Sequence, residues 1–225
     1  MTKHLERDIE SLEQELLAMS ARVEGMIEKA WLAFTEKIEG LAEEVIELDE
    51  LVNQREVRIE EECLKILALH QPVAIDLRRT ATILKVNNDL ERIADLAVNL
   101  AERAQRLIRR DAFPIPKELN RMAEVAKLMV RDALNSFVNL NYNDAVEVCK
   151  TDDKVDDDHD AVIGLLRDQM RANSDDIETA IHYLMAARCL ERIADHATNV
   201  AEDVLYLIKG DIARHRPIEF TSNPI

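Results

Sequence analysis

The chain is poor in the residues that make turns and strands. Of its 225 residues only four are glycine and five proline, and aromatics are 4%. A β-sandwich or barrel needs frequent turns and many β-branched or aromatic positions, so both are excluded. Four glycines also leave no glycine-rich phosphate loop, which removes a nucleotide-binding loop of that kind. The three cysteines, Cys63, Cys149 and Cys189, are odd in number and show no Cys-x-x-Cys spacing. They read as reduced core residues, not as a disulfide frame or a zinc site. No apolar run approaches the ~18 residues of a membrane span. The segment Met1-Thr2-Lys3-His4-Leu5-Glu6-Arg7-Asp8 carries acids where a signal peptide needs an apolar centre. A cytoplasmic protein with no membrane span is therefore expected. Excess positive charge is missing too. A net charge of −16 repels a polyanion, so no nucleic-acid partner is expected. A metal cation or a basic protein surface suits it better.

What is present is helix-forming residues. Hydrophobic residues make up 47% and charged residues 33%, with Ala, Leu, Glu, Arg and Ile dominant. Breakers cut the chain into six long helical stretches. They fall near Gly40, at His70-Gln71-Pro72, at Phe113-Pro114-Ile115-Pro116, at Asn139-Leu140-Asn141-Tyr142-Asn143, at Ala172-Asn173-Ser174 and at Gly210. Spacings of three and four define one buried stripe per helix. The first stretch sets out Leu5, Ile9, Leu12, Leu16, Met19, Val23, Met26, Ala30 and Ala33 in this way. The third does so with Ile83, Val86, Leu90, Ile93, Ala97, Leu100, Ala104 and Leu107. Trp31 and Phe34 are most simply core. Short connections make consecutive helices antiparallel neighbours.

The chain also repeats itself. Leu90-Glu91-Arg92-Ile93-Ala94-Asp95 recurs one hundred positions later as Leu190-Glu191-Arg192-Ile193-Ala194-Asp195, and the match runs on to Ile108/Ile208. Upstream the offset becomes 103, so that Asp49 matches Asp152 and Asn53 matches Asp156. The expected fold is all-α: two copies of one three-helix unit, residues 1–112 and 113–212, with a C-terminal tail over 213–225.

The repeat carries more than core residues. Glu91, Asp95, Asn99 and Glu102 lie on one side of the third helix, bordering its buried face. The sixth helix repeats them as Glu191, Asp195, Asn199 and Glu202. The second helix has Asp49, Asn53, Glu56 and Glu60; the fifth has Asp152, Asp156 and His159 in matching places. Antiparallel packing turns these stripes toward each other. Converging carboxylates repel and drive their pKa values up, and a hard cation relieves that cost. Acid stripes are usually solvated faces or salt bridges. Two copies, each with a matching stripe on the neighbouring helix, favour a metal site in each half. The candidate ligands are Asp49, Asn53, Glu91 and Asp95, then Asp152, Asp156, Glu191 and Asp195. Asn53 is a neutral oxygen donor, so the first site is expected to be the weaker, unless Glu56 replaces the missing charge. His159 offers the second site a nitrogen.

The tracts Gln71-Pro72-Val73-Ala74-Ile75-Asp76-Leu77-Arg78-Arg79, Leu90–Asp95 and Ala187–Asp203 resemble the PhoU family of bacterial phosphate-signalling regulators. The resemblance implies two tandem three-helix bundles related by a pseudo-twofold axis. It implies E(D)xxxD motifs that hold iron, manganese, magnesium or zinc, here Asp49…Asn53, Glu91…Asp95, Asp152…Asp156 and Glu191…Asp195. It also implies a cytoplasmic homodimer at the membrane surface. The implied partners are the phosphate ABC transporter, through its ATPase, and a sensor histidine kinase, and the implied effect is repression of phosphate-starvation genes when phosphate is plentiful. The competing reading is a carboxylate-bridged metalloenzyme on a helix bundle. Such sites use Glu-x-x-His pairs. The third position after Glu91 is Ala94, and after Glu191 it is Ala194, which argues against that chemistry and for a protein that is not an enzyme.

Overall fold

The computed structural model describes residues 3–108, 110 and 112–210. Its elements are α1 (Lys3–Glu36), α2 (Glu39–His70), α3 (Ala74–Leu107), α4 (Lys117–Asn139), α5 (Tyr142–Ala172) and α6 (Ile177–Lys209), with one 3-10 turn at Ser174–Asp176. The described residues contain no strand. The expected tail over 213–225 lies outside them.

Each three-helix set packs internally, α1 with α2 and α3, and α4 with α5 and α6. The two sets join where α3 lies against α6 and α1 against α4. The reason is legible along α1 and α3. Every residue of the two expected stripes is buried, from Leu5 to Ala33 and from Ile83 to Leu107. A fully buried Leu or Ile side chain contributes roughly 1.5–3 kcal/mol, far more than helix propensity does at any one position. The alanines that border the acid stripes, Ala94, Ala101, Ala194 and Ala201, are fully buried and let neighbouring helices approach closely.

The turns follow the breakers with one difference. Gly40 sits inside the first turn of α2, and the chain reverses before it, at Lys37, whose backbone is left-handed (φ 57°). The Lys37 ammonium donates to the Arg110 carbonyl at 2.6 Å, so a long-range bond supports this turn. Elsewhere local chemistry suffices. Leu140 takes the left-handed cap of α4, and the Asn141 side chain accepts from the Asn143 and Asp144 amides to open α5. Gly210 ends α6 at φ 80°, with its amide bonded to the Tyr206 carbonyl at 2.8 Å. A side chain there would meet the Arg78 guanidinium at 2.7 Å.

Half of the few aromatics gather where the bundles meet. Trp31 stacks on Phe34 (5.4 Å between ring centres), Phe34 meets Tyr183 of α6, and Tyr183 meets Phe113 edge-on at 5.0 Å. The Tyr183 hydroxyl donates to the Phe113 carbonyl at 2.8 Å. This cluster ties α1, the connecting segment and α6 together. The three cysteines are free. Burial pushes the thiols of Cys63 and Cys149 up to about 12, so both stay protonated, inert core residues.

Candidate metal sites on two helix pairs

Packing of α2 against α3, and of α5 against α6, brings the acid stripes into each other's field. In the first half the Asp49 carboxyl is raised by loss of water and then by Asp95 and Glu50, while a hydrogen bond from Asn53 Nδ2 (3.0 Å) opposes the shift. Glu91 is raised by burial first, then by Asp95, Glu56 and Asp49. Glu56 is raised by burial and by Glu60. Carboxylates from both helices thus repel across the groove, as the antiparallel expectation requires. One oxygen of Asp49, Oδ1, is buried without a hydrogen-bond partner, which leaves an acceptor for a ligand to satisfy.

The second half follows the same plan with less relief. Burial is the largest force on Asp152, followed by repulsion from Asp195 and Asp156; the carboxyl rises to about 6, with the Thr198 hydroxyl opposing. Glu191 is raised by burial, then by Asp195, with His159 the main opposing charge. Asp195 is raised by loss of water and by Asp156, with His196 and Arg192 opposing. His159 therefore takes toward Glu191 the place that Glu56 takes toward Glu91, as their matched positions in the repeat foretold.

The halves differ in their built-in cation. Arg92 reaches both Glu91 and Asp95 of its own helix, each at 3.3 Å. Its repeat mate Arg192 makes no such ion pair among the described residues. Two contacts absent from the sequence reading also set the frame. The buried Asn87 donates to the Glu56 carbonyl at 2.9 Å, pinning α3 to α2 beside the first cluster. His196 Nδ1 stands 2.8 Å from Asp89 Oδ1 across the α3–α6 junction.

As the side chains stand, no three acidic, histidine or cysteine groups among the described residues are drawn together tightly enough to hold an ion. The donor chemistry nonetheless fits one. The donors are mostly oxygens, repel one another, are only half-buried, and include an unsatisfied buried acceptor. The clefts between α1 and α2 (about 350 Å³) and between α4 and α5 (about 490 Å³) are lined by other residues.

An all-helical double bundle, each half with opposed acid stripes on one helix pair, defines the class. The comparison with known proteins gives the family. A model described as the PhoU domain matches twice, over residues 16–104 and 119–204, and the chain belongs to the PhoU family. It is 37% identical to the phosphate-specific transport system accessory protein PhoU homolog of Pseudomonas putida, over 96% of this chain and 86% of that one. It is 32% identical to PhoU of Escherichia coli K12, over 92% and 86%. Among solved structures it superposes on PhoU from Pseudomonas aeruginosa with a TM-score of 0.88 at 36% identity, covering 92% of this chain and 99% of that one. The phosphate transport system regulatory protein PhoU from Streptococcus pneumoniae gives 0.83 at 29%, covering 92% and 98%. No described helix is long and apolar enough to cross a membrane.

Proposed function

We propose that this chain is a cytoplasmic, metal-binding accessory of a phosphate-specific transport system. It acts as an adaptor between the phosphate ABC transporter and its sensor histidine kinase, and holds phosphate-starvation genes off when phosphate is plentiful. The relatives' names supply the transport system. The observation that carries the metal-binding part is the recurrence, in both repeats, of carboxylates that raise each other's pKa across a helix pair without sufficient counter-charge. Asp49, Asn53, Glu91 and Asp95, with Glu56 beside them, would hold one ion. Asp152, Asp156, Glu191 and Asp195, with His159 beside them, would hold the other. Iron, manganese, magnesium and zinc all accept such donors, and the imidazole favours a transition ion in the second half. A bound cation would cancel repulsion and stiffen each helix pair. Nothing in this arrangement requires turnover, so the protein is read as a binding protein, not an enzyme, and as a homodimer in the cell.

The test is genetic and biochemical together. Deleting the gene should raise a phosphate-starvation reporter in phosphate-replete medium, and the intact gene should restore repression. A variant with Asp152→Asn, Asp156→Asn, Glu191→Gln and Asp195→Asn should fold but restore it poorly. A reporter that reads the same with and without the gene overturns the regulatory reading. Full rescue by the quadruple variant overturns the role of the metal.

A further inference from the structure

Bordering the second acid set, where Arg188 and Arg192 lie beside Glu191 and Asp195, one surface runs against the charge of the whole chain. Along α6, Ile177, Ile181, Met185, Arg188 and Arg192 recur at spacings of four and three, so they form a single exposed face. The three apolar members are 41%, 40% and 43% exposed. At the end of the adjoining α3, Arg103 and Arg106 lie at i and i+3, and Arg110 follows three residues beyond the helix. The rows adjoin: all three of these arginines hold down the pKa of His182, next to Ile181, after burial, and Arg103, Arg192 and Arg188 together act on Cys189. Arg110 is paired with Glu178. Arg103, Arg106, Arg188 and Arg192 have no carboxylate at ion-pair distance among the described residues, in a chain of net charge −16.

Packing does not demand this surface. At the matched positions one hundred residues away, Arg103 is Asp203, Arg106 is Tyr206, Arg188 is Asn88, Met185 is Lys85 and Ile181 is Ala81, while Ile177 keeps an exposed aliphatic mate in Leu77 and Arg192 keeps an arginine in Arg92. The same helix pair is therefore built with only two members of the basic-apolar set at the mirror position, where Lys85 is satisfied by Asp203 at 2.8 Å. Complementing the negative end of the α3 dipole accounts for the arginines of its last turns. It accounts neither for Arg188 and Arg192 in the body of α6 nor for three exposed aliphatics.

We propose that this α3–α6 face docks an acidic segment of a protein partner, with aliphatic side chains flanking its carboxylates. The inference rests on the accessory role proposed above. Arginine and methionine are among the residues enriched in protein interfaces, and exposed aliphatics rimmed by arginines suit a carboxylate-bearing amphipathic segment. From Ile177 to Arg192 the helix advances roughly 23 Å at about 1.5 Å per residue. With two helices side by side, each about 10 Å wide, the strip covers on the order of 450 Å², the size of one side of a transient contact. A lipid surface is the poorer occupant, because half-exposed side chains lying flush in a bundle face do not reach hydrocarbon.

The experiment uses the full chain with two purified probes from the same cell's phosphate system, the transporter's ATP-binding subunit and the cytoplasmic part of the sensor kinase. Arg103→Glu with Arg106→Glu should weaken binding to one of them tenfold or more. Ile181→Asp should weaken it several-fold, and Asn88→Glu on the mirror face should change it less than twofold. Arg103→Gln with Arg106→Gln, which creates no repulsion, should give an intermediate loss and lower the salt dependence, with an unaltered melting curve. If the parent chain binds a probe and every variant binds equally well, the docking face is refuted while the accessory role stands. If the parent chain binds neither probe, the accessory role fails and takes this inference with it. If the variants instead lose binding to 3:1 phosphatidylcholine–phosphatidylglycerol vesicles, or lose self-association, while partner affinity is unchanged, the acidic-segment reading is overturned.

Discussion

Asp152 offers the sharpest test of whether the acid stripes await a cation. Its carboxyl is half-buried, faces Asp195 and Asp156, and rises to about 6 from an ordinary value of 3.8. A folded-state pKa above the unfolded one means that the folded protein gains when the group is protonated. The contribution is fully present below about pH 4 and is lost as pH rises through 6. The shift of about two units corresponds to roughly 3 kcal/mol at the limit. Water still reaches the groove, so a discount to about 1–1.5 kcal/mol is appropriate.

In chelator at pH 7.5, Asp152→Asn should therefore stabilise the protein by about 1 kcal/mol, or a rise of roughly 2–4 °C in melting temperature for a chain of this size. The gain should vanish toward pH 4, where the parent carboxyl is protonated. With Mn²⁺ added the order should reverse. The parent chain gains by mass action, about 2.7 kcal/mol at a hundredfold excess over the dissociation constant, and the variant gains less. The measurement is a melt of both proteins from pH 4 to 8, with chelator and with Mn²⁺. A variant that is destabilised in chelator at pH 7.5, or that keeps the full metal shift, would show that Asp152 belongs to a solvated face and refute the reasoning.

Three further outcomes follow from single contacts. Arg92 competes with any cation for Glu91 and Asp95, so Arg92→Gln should tighten first-half Mn²⁺ binding in a calorimetric titration, while Arg192→Gln changes the second half little. Leu90→Ala and its repeat mate Leu190→Ala each open a cavity at a fully buried position; each should cost about 2–5 kcal/mol in denaturant unfolding, and a cost below 1 kcal/mol at either would contradict the packing. His182 is nearly buried and its pKa is held down by burial and by Arg103, Arg110 and Arg106. Its contribution is full above about pH 6.5 and falls as pH drops below that value, so His182→Gln should shrink the loss of stability between pH 7 and 5, and a pH-independent difference from the parent would rule this out.

The helices were legible because each buries a long stripe. Nine residues at helical spacing in α1 and eight in α3 outweigh any local preference, and all are buried. The repeat was legible because Leu190–Asp195 restates Leu90–Asp95, and that restatement alone pairs the acid stripes. The first turn was not. Gly40 is the obvious breaker, yet the reversal falls on Lys37, held by a bond to a carbonyl 73 residues away. A single-residue signal cannot announce a turn that a tertiary contact makes. The charge balance of the first site was only partly legible. Asn53 marks a missing charge, but Glu56 stands toward Glu91 and supplies one, while Arg92 folds back as an internal counter-ion. Side-chain direction decides both, and spacing along a helix does not.

The junction between the halves shows why a repeat predicts architecture better than it predicts chemistry. Asp89 and His196 meet at 2.8 Å, while their mates, Cys189 and Leu96, are a thiol and an aliphatic residue. Lys85 and Asp203 pair at 2.8 Å, while their mates are Met185 and Arg103. An antiparallel α3–α6 crossing places each such pair and its mates at opposite ends of one contact, so the two ends bear the same backbone with different side chains. One end is closed by internal ion pairs. The other pairs Arg110 with Glu178 but leaves Arg103, Arg106, Arg188 and Arg192 with no carboxylate at ion-pair distance among the described residues, and its aliphatics half-exposed. Packing constrains only the inward stripe that both copies share, and outward positions are free to diverge. The outward difference therefore marks where the two ends meet different surroundings, and the end left unpaired is the one with charge to offer a partner.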